Sequence, residues 1–326
     1  MTAPGKRHSG RRAEHAAPSG SPSAGMREEI LAGLHARPKK LNPKFFYDAE
    51  GARLFEEITT LPEYYPTRTE LGILRHALPE IVDLAGPHVA LVEYGSGAGI
   101  KVRLLLEGLE APVAYVPIDI SGEQLDRVAA ALRSDYPEIV VHPIRADYTR
   151  AVGLPSLPGT ARRVAFFPGS TIGNFEPSAA TSFLRGVRTT VGPNGALILG
   201  VDRVKDAGTL ERAYDDAAGV TARFNRNLLV RLNRELAATF DVERFAHEAR
   251  WNSTESRIEM HLRSLDDQVV QVGGRVVPFA QGETIWTESS YKYDRPGLER
   301  LVNDADFRIR RLWTDPNNLF WVVFLE

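Results

Sequence analysis

A glycine-rich turn is the stretch of the sequence whose residue types and spacing point most clearly to chemistry. Residues 92–99 read VEYGSGAG, after an apolar run and before a helical pattern. Glycines at such a junction let a ligand approach the backbone and the helix N-terminus. The spacing is E-x-G-x-G-x-G. It matches neither the dinucleotide fingerprint G-x-G-x-x-G nor a phosphate-binding loop, because no G-K-[ST] follows.

This spacing resembles the S-adenosylmethionine (SAM) loop of class I methyltransferases. The resemblance implies SAM as the cofactor and predicts a first set of cofactor-binding residues: Glu93, Gly95, Gly97, Gly99 and Lys101. A tight structural connection between a strand and a helix is the alternative interpretation of the same glycines.

Acidic residues follow at the ends of the next two predicted strands. Asp119 lies 119 − 99 = 20 residues after Gly99, where a carboxylate can bind ribose hydroxyls. Asp147 can accept a hydrogen bond from the adenine amino group, and Tyr148 beside it can stack on the ring. Each acid could instead cap a helix or lie in a solvated loop. However, ligands of open α/β sheets bind at these carboxyl ends, which favours a cofactor role.

The surrounding elements alternate between strand and helix. Apolar and amphipathic patterns predict strands at 89–95, 113–120, 139–148, 164–170 and 196–202, and helices at 26–37, 54–59, 69–84, 101–109, 123–136 and 181–191. Apolar strands that alternate with helices are typical of a parallel sheet covered on both faces. We therefore predict an α/β fold with a class I SAM-methyltransferase (Rossmann-like) sheet.

The pattern changes after this sheet. Residues 208–240 predict a long helix, and the later patterns predict strands at 257–264 and 284–293 and a hairpin around Gly273-Gly274. A helix at 295–304 and strands at 306–313 and 319–326 complete the chain. We expect a SAM-binding domain formed by 70–203 and 295–326, and a mixed α+β substrate-binding domain formed by 26–69 and 204–294.

Composition excludes several other classes of protein. The 326 residues include 40 Lys+Arg and 42 Asp+Glu, a net charge of −2 that argues against a nucleic-acid binder. There is no cysteine, no H-E-x-x-H zinc motif and no G-x-S-x-G elbow, so we expect no disulfide, thiolate nucleophile or metal. No apolar run reaches the roughly 20 residues that cross a bilayer. We expect a cytoplasmic monomer that does not bind membranes.

The first 25 residues consist largely of Ala, Gly, Ser, Pro, Arg and His. Such a segment buries too little apolar surface to offset its ordering entropy, and we predict that residues 1–25 are a disordered tail. A basic arm for targeting or for nucleic-acid binding is the alternative.

Five segments carry a more specific pattern: FFYDAEGARLFEEITTLPEYYPTRTE (45–70), GSTIGNFEP (169–177), AYDDAAGVTARFNRNLL (213–229), RIEMHLRS (257–264) and WTESS (286–290). They resemble the histidine-specific, SAM-dependent Nα-methyltransferases of ergothioneine biosynthesis, over nearly the whole chain from Met26. The resemblance implies three methyl transfers to the α-amine of L-histidine, giving the trimethylated betaine hercynine.

The resemblance also implies a set of acceptor-site residues. Tyr64, Asn174 and Tyr214 would hold the substrate carboxylate and amine. Tyr47 would lie near the amine, so that Tyr47 and Asn174 are the catalytic candidates. The remaining candidates would line the pocket or bind the imidazole: Thr221, Met260, Glu288 and Ser290.

The residue spacing is consistent with these roles. Tyr214 and Thr221 are seven residues apart, which predicts one face of a helix, and Glu288 and Ser290 are two apart, on one face of a strand. Met260 shares its predicted strand face with Ile258 and Leu262.

Simpler roles and other functions stay open. Met260 can be plain core, Tyr64 and Tyr65 can be packing tyrosines, and Asn174 can be a cap before Pro177. The alternative functions are methylation of another amino acid or an indole-ethylamine, or a non-catalytic SAM-binding module.

Overall fold

The computed structural model describes residues 24–157 and 161–326. The predicted disordered tail lies almost wholly outside these ranges. Its last two residues, Ala24 and Gly25, already belong to the first helix. The predicted boundary at residue 25 is therefore two residues too late.

The described residues form α-helices and short 3₁₀ turns. The helices are α1 (Ala24–His35), α2 (Ala49–Thr60), α3 (Tyr65–Ala85), α4 (Ile100–Gly108), α5 (Gly122–Asp135), α6 (Pro177–Val191), α7 (Ala207–Tyr214), α8 (Val220–Leu236) and α9 (Arg295–Asn303). The 3₁₀ turns are Pro43–Phe46, Thr171–Asn174 and Val242–Arg244.

The strands are β1 (Lys39–Lys40), β2 (Val89–Tyr94), β3 (Ala114–Asp119), β4 (Val140–Val141), β5 (Ile144–Arg145), β6 (Arg162–Phe167), β7 (Ala196–Asp202), β8 (Phe245–Asn252), β9 (Arg257–Ser264), β10 (Gln268–Val272), β11 (Arg275–Phe279), β12 (Thr284–Tyr291), β13 (Ile309–Thr314) and β14 (Phe320–Leu325).

The larger sheet has the order β13-β14-β7-β6-β2-β3-β4, with β5 also paired to β3. Strands β7, β6, β2, β3 and β4 run parallel, and the C-terminal hairpin β13–β14 adds antiparallel strands at β7. Apolar side chains form one buried cluster on each face of this sheet. The predicted α/β sheet covered on both faces is confirmed.

The third predicted strand, at 139–148, is wrong as a single element. Only Val140–Val141 and Ile144–Arg145 pair with β3, and the ladder is interrupted between them. Pro143 lies in the gap and has no N–H to donate, so the edge strand cannot continue through it.

The predicted helix at 208–240 is also two helices. Helix α7 ends at Tyr214, and α8 starts at Val220 after Gly219, whose φ of 68° is left-handed. The carboxylate of Asp216 caps α8 by accepting hydrogen bonds from the N–H groups of Val220 (2.9 Å) and Thr221 (2.7 Å). Tyr214 and Thr221 therefore lie on different helices, and their predicted common helix face is wrong.

The smaller sheet has the order β1-β12-β9-β8 and packs against α7 and α8. The predicted strands at 257–264 and 284–293 are β9 and β12, which pair antiparallel with a register shift between Trp286 and Glu288. The predicted hairpin is β10–β11, and both turn glycines have positive φ, 55° and 80°.

A buried carboxylate connects helix α3 to the larger sheet. Glu70 has no exposed surface, and it accepts hydrogen bonds from the Lys101 ammonium and from the N–H of Gly169 at 2.9 Å. Gly200 on β7 makes room for it, because a Cβ there would lie 2.0 Å from Glu70 Oε1. Glu70 thus holds together α3, the glycine-loop helix and the loop after β6.

We expect Gly200→Ala to lower the free energy of unfolding by about 1–3 kcal/mol, because the added methyl group displaces a buried, hydrogen-bonded carboxylate. Urea denaturation measures this change. The matched control is Gly186→Ala on α6, where a Cβ meets nothing within 4 Å. That variant should be neutral or slightly stabilised. Equal effects of the two substitutions would contradict the role of Gly200.

Candidate functional site

The glycine loop has the geometry of a ligand-binding turn. Gly95, Gly97 and Gly99 have φ values of 74°, 47° and 71°, and Gly99 is the N-cap residue of α4. A Cβ added at Gly99 would lie 2.9 Å from Val128, so this glycine is needed for packing. A Cβ at Gly97 would meet no protein atom within 4 Å. The backbone at Gly97 is therefore open to a ligand.

The surroundings of the loop fit an adenosyl cofactor. The buried Ser96 hydroxyl has no hydrogen-bond partner in the described part of the chain. Asp119, at the end of β3, accepts a hydrogen bond from the Ser121 N–H (2.9 Å), and its Oδ2 lies 3.5 Å from the Gly97 nitrogen. Burial raises the pKa of Asp119. A half-buried carboxylate of this kind gains from donors such as ribose hydroxyls.

The other predicted cofactor residues lie around this turn. Glu93 is buried beneath it and accepts a hydrogen bond from the Tyr115 hydroxyl, and burial raises its pKa to about 8. Lys101 on α4 is bonded to Glu70 and faces Gly169. Its position is thus fixed by a residue of the YYPTRTE segment.

Asp147 and Tyr148 follow β5 at the same edge of the sheet. Asp147 accepts a hydrogen bond from the Thr149 N–H (3.0 Å), with Lys44 at 3.6 Å. Burial opposes ionisation of Asp147, but these donors hold its pKa below the ordinary value. The Tyr148 ring packs among Tyr94, Phe167 and Phe183, and its hydroxyl would lie 3.6 Å from a Cβ at Gly95.

A chain of aromatic rings leads from the 3₁₀ turn before α2 to helix α7. Tyr47 and Tyr64 each pack against Phe55, at centroid distances of 5.8 and 6.2 Å. Tyr64 and Tyr214 are 6.2 Å apart. Burial raises the pKa of Tyr47, and the charges of Glu288 and Asp119 add to the rise. The charges of an acceptor-site candidate and of a cofactor-site candidate therefore both act on Tyr47.

The strand β12 carries the polar residues that were predicted for the acceptor site, Glu288 and Ser290. Glu288 is 8% exposed, and its carboxylate has no hydrogen-bond partner among the residues described. Burial raises its pKa to about 7, against the opposing charge of Lys292. Ser290 lies 2.8 Å from the Tyr214 hydroxyl. Met260 is the cross-strand partner of Glu288 and belongs to the same core cluster as Tyr64 and Tyr214.

The predicted site residues Asn174 and Thr221 lie on two other elements. Asn174 ends a 3₁₀ turn after β6, and this turn touches β12 so closely that a Cβ at Gly173 would lie 2.6 Å from the Tyr291 carbonyl oxygen. Asn174 is therefore not a helix cap. The N-cap residue of α6 is Glu176. Thr221 is buried in the first turn of α8.

Two charged residues of the site were missed in the sequence. Lys292 has no exposed side-chain surface and contacts Asp202, Tyr214 and Ser290. Lys292 lies two residues beyond Ser290, so the strand period places it on the same face. Asp202 is the last residue of β7. It therefore lies at the carboxyl end of a strand, which is where ligands of open α/β sheets bind.

The arrangement defines a class of protein. A mainly parallel sheet with a glycine turn after its first strand, and carboxylates after the next strands, is that of a class I SAM-dependent methyltransferase. More narrowly, the chain belongs to the family described as histidine-specific methyltransferase, SAM-dependent, whose model matches residues 26–326. The family resemblance stated from the sequence motifs is confirmed.

Individual relatives agree with this assignment. The chain is 45% identical over 301 residues to the histidine N-alpha-methyltransferase of Mycolicibacterium smegmatis, covering 91% of this chain and 93% of that protein. It is 42% identical over 295 residues to the protein of the same name from Mycobacterium tuberculosis, covering 89% and 91%. It is 31% identical over 288 residues to ergothioneine biosynthesis protein 1 of Neurospora crassa, covering 86% of this chain and 32% of that protein.

Two kinds of feature are absent from residues 24–157 and 161–326. Within them, no three or more His, Asp or Glu side chains are grouped so that they could hold a metal ion. No helix there is long and apolar enough to cross a membrane.

We expect Gly97→Val to abolish detectable SAM binding, because the side chain would occupy the open approach to the loop. Isothermal titration calorimetry with SAM measures the loss. Gly86→Val is the matched control, because Gly86 also has a positive φ (71°) and open space at its Cβ but lies at the end of α3. Near-normal SAM affinity of the Gly97 variant would show that the turn is only structural.

The raised pKa of Glu288 predicts a dependence of stability on pH. Its folded-state pKa of about 7 exceeds the ordinary 4.5, so this residue makes the folded state less stable as pH rises between these values. We expect Glu288→Gln to be more stable than the wild type at about pH 8, on the order of 2 kcal/mol, with little difference at about pH 4.

The control for this prediction is Glu259→Gln. The pKa of Glu259 is lowered, because hydrogen bonds from Asn252 and Arg257 outweigh its burial. Relative to the wild type, the Glu259→Gln variant should therefore become less stable as pH rises. Chemical denaturation at both pH values measures the two differences. A Glu288→Gln protein less stable than the wild type at the higher pH would contradict the assignment of an unpaired buried carboxylate.

Proposed function

We propose that this protein transfers methyl groups from SAM to the α-amine of L-histidine, three times, to give hercynine for ergothioneine biosynthesis. One observation carries the proposal. The buried carboxylate of Glu288 has no partner among the described residues, and it lies on the same strand face as Ser290. Family membership and the names of the relatives support the same substrate.

An imidazole ring suits this pair of groups. A neutral imidazole offers one N–H donor and one acceptor nitrogen. The Glu288 carboxylate can accept from the ring N–H, and a hydroxyl such as that of Ser290 can donate to the other nitrogen. An apolar side chain would leave Glu288 buried and unpaired, at a cost that discriminates strongly against such substrates.

The amino-acid end of the substrate would face the tyrosines. We assign its carboxylate and amine to Tyr64, Asn174 and Tyr214, with Thr221 and Met260 as pocket walls. We assign Tyr47 a place near the amine, and the effect of both Glu288 and Asp119 on its pKa supports this assignment. Because burial raises the pKa of Tyr47, its phenol stays protonated at working pH and can orient the amine but cannot act as a base.

The chemistry requires alignment more than acid–base catalysis. When bound, SAM supplies a methyl group activated by its sulfonium charge. We assign its binding to Glu93, Gly95, Gly97, Gly99, Lys101, Asp119, Asp147 and Tyr148. The residues of this chain then exclude water, hold the amine lone pair in line and favour the neutral amine by desolvation. A tyrosine-lined pocket also accommodates the quaternary ammonium of the product.

We further propose the domain division predicted from the sequence, with a cytoplasmic monomer as the working form. The two sheets and their separate core clusters support two units. Helix α3 runs from Tyr65 to Ala85 and so crosses the boundary at residue 70. Gel filtration with light scattering tests the monomer.

Mass spectrometry tests the function directly. Incubation with SAM and L-histidine should give products with one, two and three added methyl groups, and fragmentation should place all of them on the α-nitrogen. Tryptophan and tryptamine in parallel reactions represent the alternative substrates. Efficient methylation of either, without methylation of histidine, would overturn the proposal.

We expect Glu288→Gln to raise the KM for histidine by about 5–15-fold, because the amide oxygen still accepts from the ring N–H but without the charge that strengthens the bond, and to leave SAM affinity unchanged. The gap in kcat/KM between histidine and tryptophan should narrow. Glu259→Gln is the control, because Glu259 pairs across from Ser289 on the other face of the sheet. Steady-state kinetics with both amino acids decides, and an unchanged kcat/KM for histidine would remove Glu288 from the site.

A further inference from the structure

Lys292 is a fully buried cation directly behind the acceptor site. Its side chain has no exposed surface, and neither has that of Asp202, the carboxylate that it contacts at 2.9 Å. Lys292 also donates hydrogen bonds of 2.8 Å to the Tyr214 hydroxyl and to the Ser290 hydroxyl. An ammonium group has three N–H donors, and each of these has an acceptor.

These bonds fix the roles of the two hydroxyl groups. Both oxygens accept from Lys292, and they lie 2.8 Å from each other, so one of them donates to the other. The second hydroxyl hydrogen has no acceptor among the residues described. Tyr214 and Ser290 together therefore offer one O–H donor that is free for a ligand.

We propose that Lys292 is a positioning residue of the acceptor site: by occupying lone pairs of Tyr214 and Ser290, it makes this hydroxyl pair a hydrogen-bond donor to the acceptor amino acid. The inference rests on the proposed function, in which that acceptor is histidine. The groups that accept this hydrogen are the carboxylate or the unprotonated ring nitrogen of the substrate.

The charge of Lys292 has a second effect on the same site. Lys292 follows the last residue of β12 and contacts Asp202 on β7, and its charge lowers the pKa of Glu288 against the effect of burial. The other charged or titratable groups around Asp202 and Lys292 are Lys205, Tyr65 and Tyr214, and those that face Glu288 are Tyr47, Tyr64 and Tyr214. Lys292 thus favours the ionised form of Glu288 that accepts from the imidazole.

The test compares Lys292→Met with Lys205→Met. Lys205 is bonded to the same Asp202 carboxylate and to the Tyr65 hydroxyl, but it contacts neither Tyr214 nor Ser290. Each substitution removes one buried cation and leaves Asp202 paired with the other. Loss of Lys292 frees the lone pairs of both hydroxyls, so that they are no longer held as donors, whereas loss of Lys205 leaves them bonded to Lys292.

We expect Lys292→Met to raise the KM for histidine by about 10–100-fold and to leave the affinity for SAM within about twofold. The acidic limb of its kcat/KM profile should move to higher pH, because Glu288 loses the cation that favours its ionisation. Lys205→Met should leave both the KM for histidine and this limb in place. Equal changes in the two variants, or no change in either, would overturn the positioning role.

Lys292→Gln covers the case in which the Met variant does not fold. An amide retains N–H donors without the charge, so this variant should regain part of the histidine affinity while its acidic limb stays shifted. A histidine affinity no better than that of Lys292→Met, or an acidic limb at its wild-type position, would count against the inference. The wild-type assay with histidine comes first: no methylation of histidine by the wild type refutes the proposed function, whereas normal wild-type activity with indistinguishable lysine variants refutes only the role of Lys292.

Discussion

The buried carboxylate of Asp202 is the constraint on which the arrangement of the site depends. It ends the central strand β7, and it accepts hydrogen bonds from Tyr65 at the start of α3 (2.7 Å) and from the two lysines, Lys205 and Lys292. Its carbonyl oxygen accepts from the Tyr293 N–H at 3.0 Å, just beyond β12. A buried charge is stable only with such partners. The hydrogen bonds that Asp202 needs therefore fix the position of strand β12 relative to the larger sheet.

The charges around Asp202 balance within the site. Two buried cations, Lys205 and Lys292, share Asp202 as their counter-ion. The second carboxylate of the cluster is Glu288. Asp202 is fully satisfied, whereas Glu288 has no hydrogen-bond partner in the described chain. A folded protein keeps an unpaired carboxylate buried at the expense of stability, and such costs are concentrated at sites that bind ligands. In our account the imidazole of histidine is the missing partner.

The larger sheet could be predicted well from the sequence, because the spacing of apolar residues and the residue types at the ends of strands are local signals. It placed the glycine turn, Asp119 and Asp147 at one edge and gave the strand that carries Glu288 and Ser290. It failed where one residue overrides a pattern: Pro143 splits the third strand, and Asp216 with Gly219 divides the long helix. Lys292, Asp202 and Glu70 were missed because their roles come from contacts between distant segments, which neither periodicity nor motif spacing reports. The family motifs, by contrast, supplied the acceptor residues that spacing alone could not assign.

The state of the bound imidazole is the most direct test of this account. Histidine labelled with ¹⁵N in the ring, bound together with S-adenosylhomocysteine, can be followed by NMR as pH is varied. We predict one ring N–H that is protected from exchange and shifted by a strong hydrogen bond to a carboxylate, and that loses this protection and shift in Glu288→Ala, which has no acceptor at this position. Ring nitrogens that titrate and exchange as in free histidine, in the wild type as in the variant, would contradict recognition of the imidazole by Glu288.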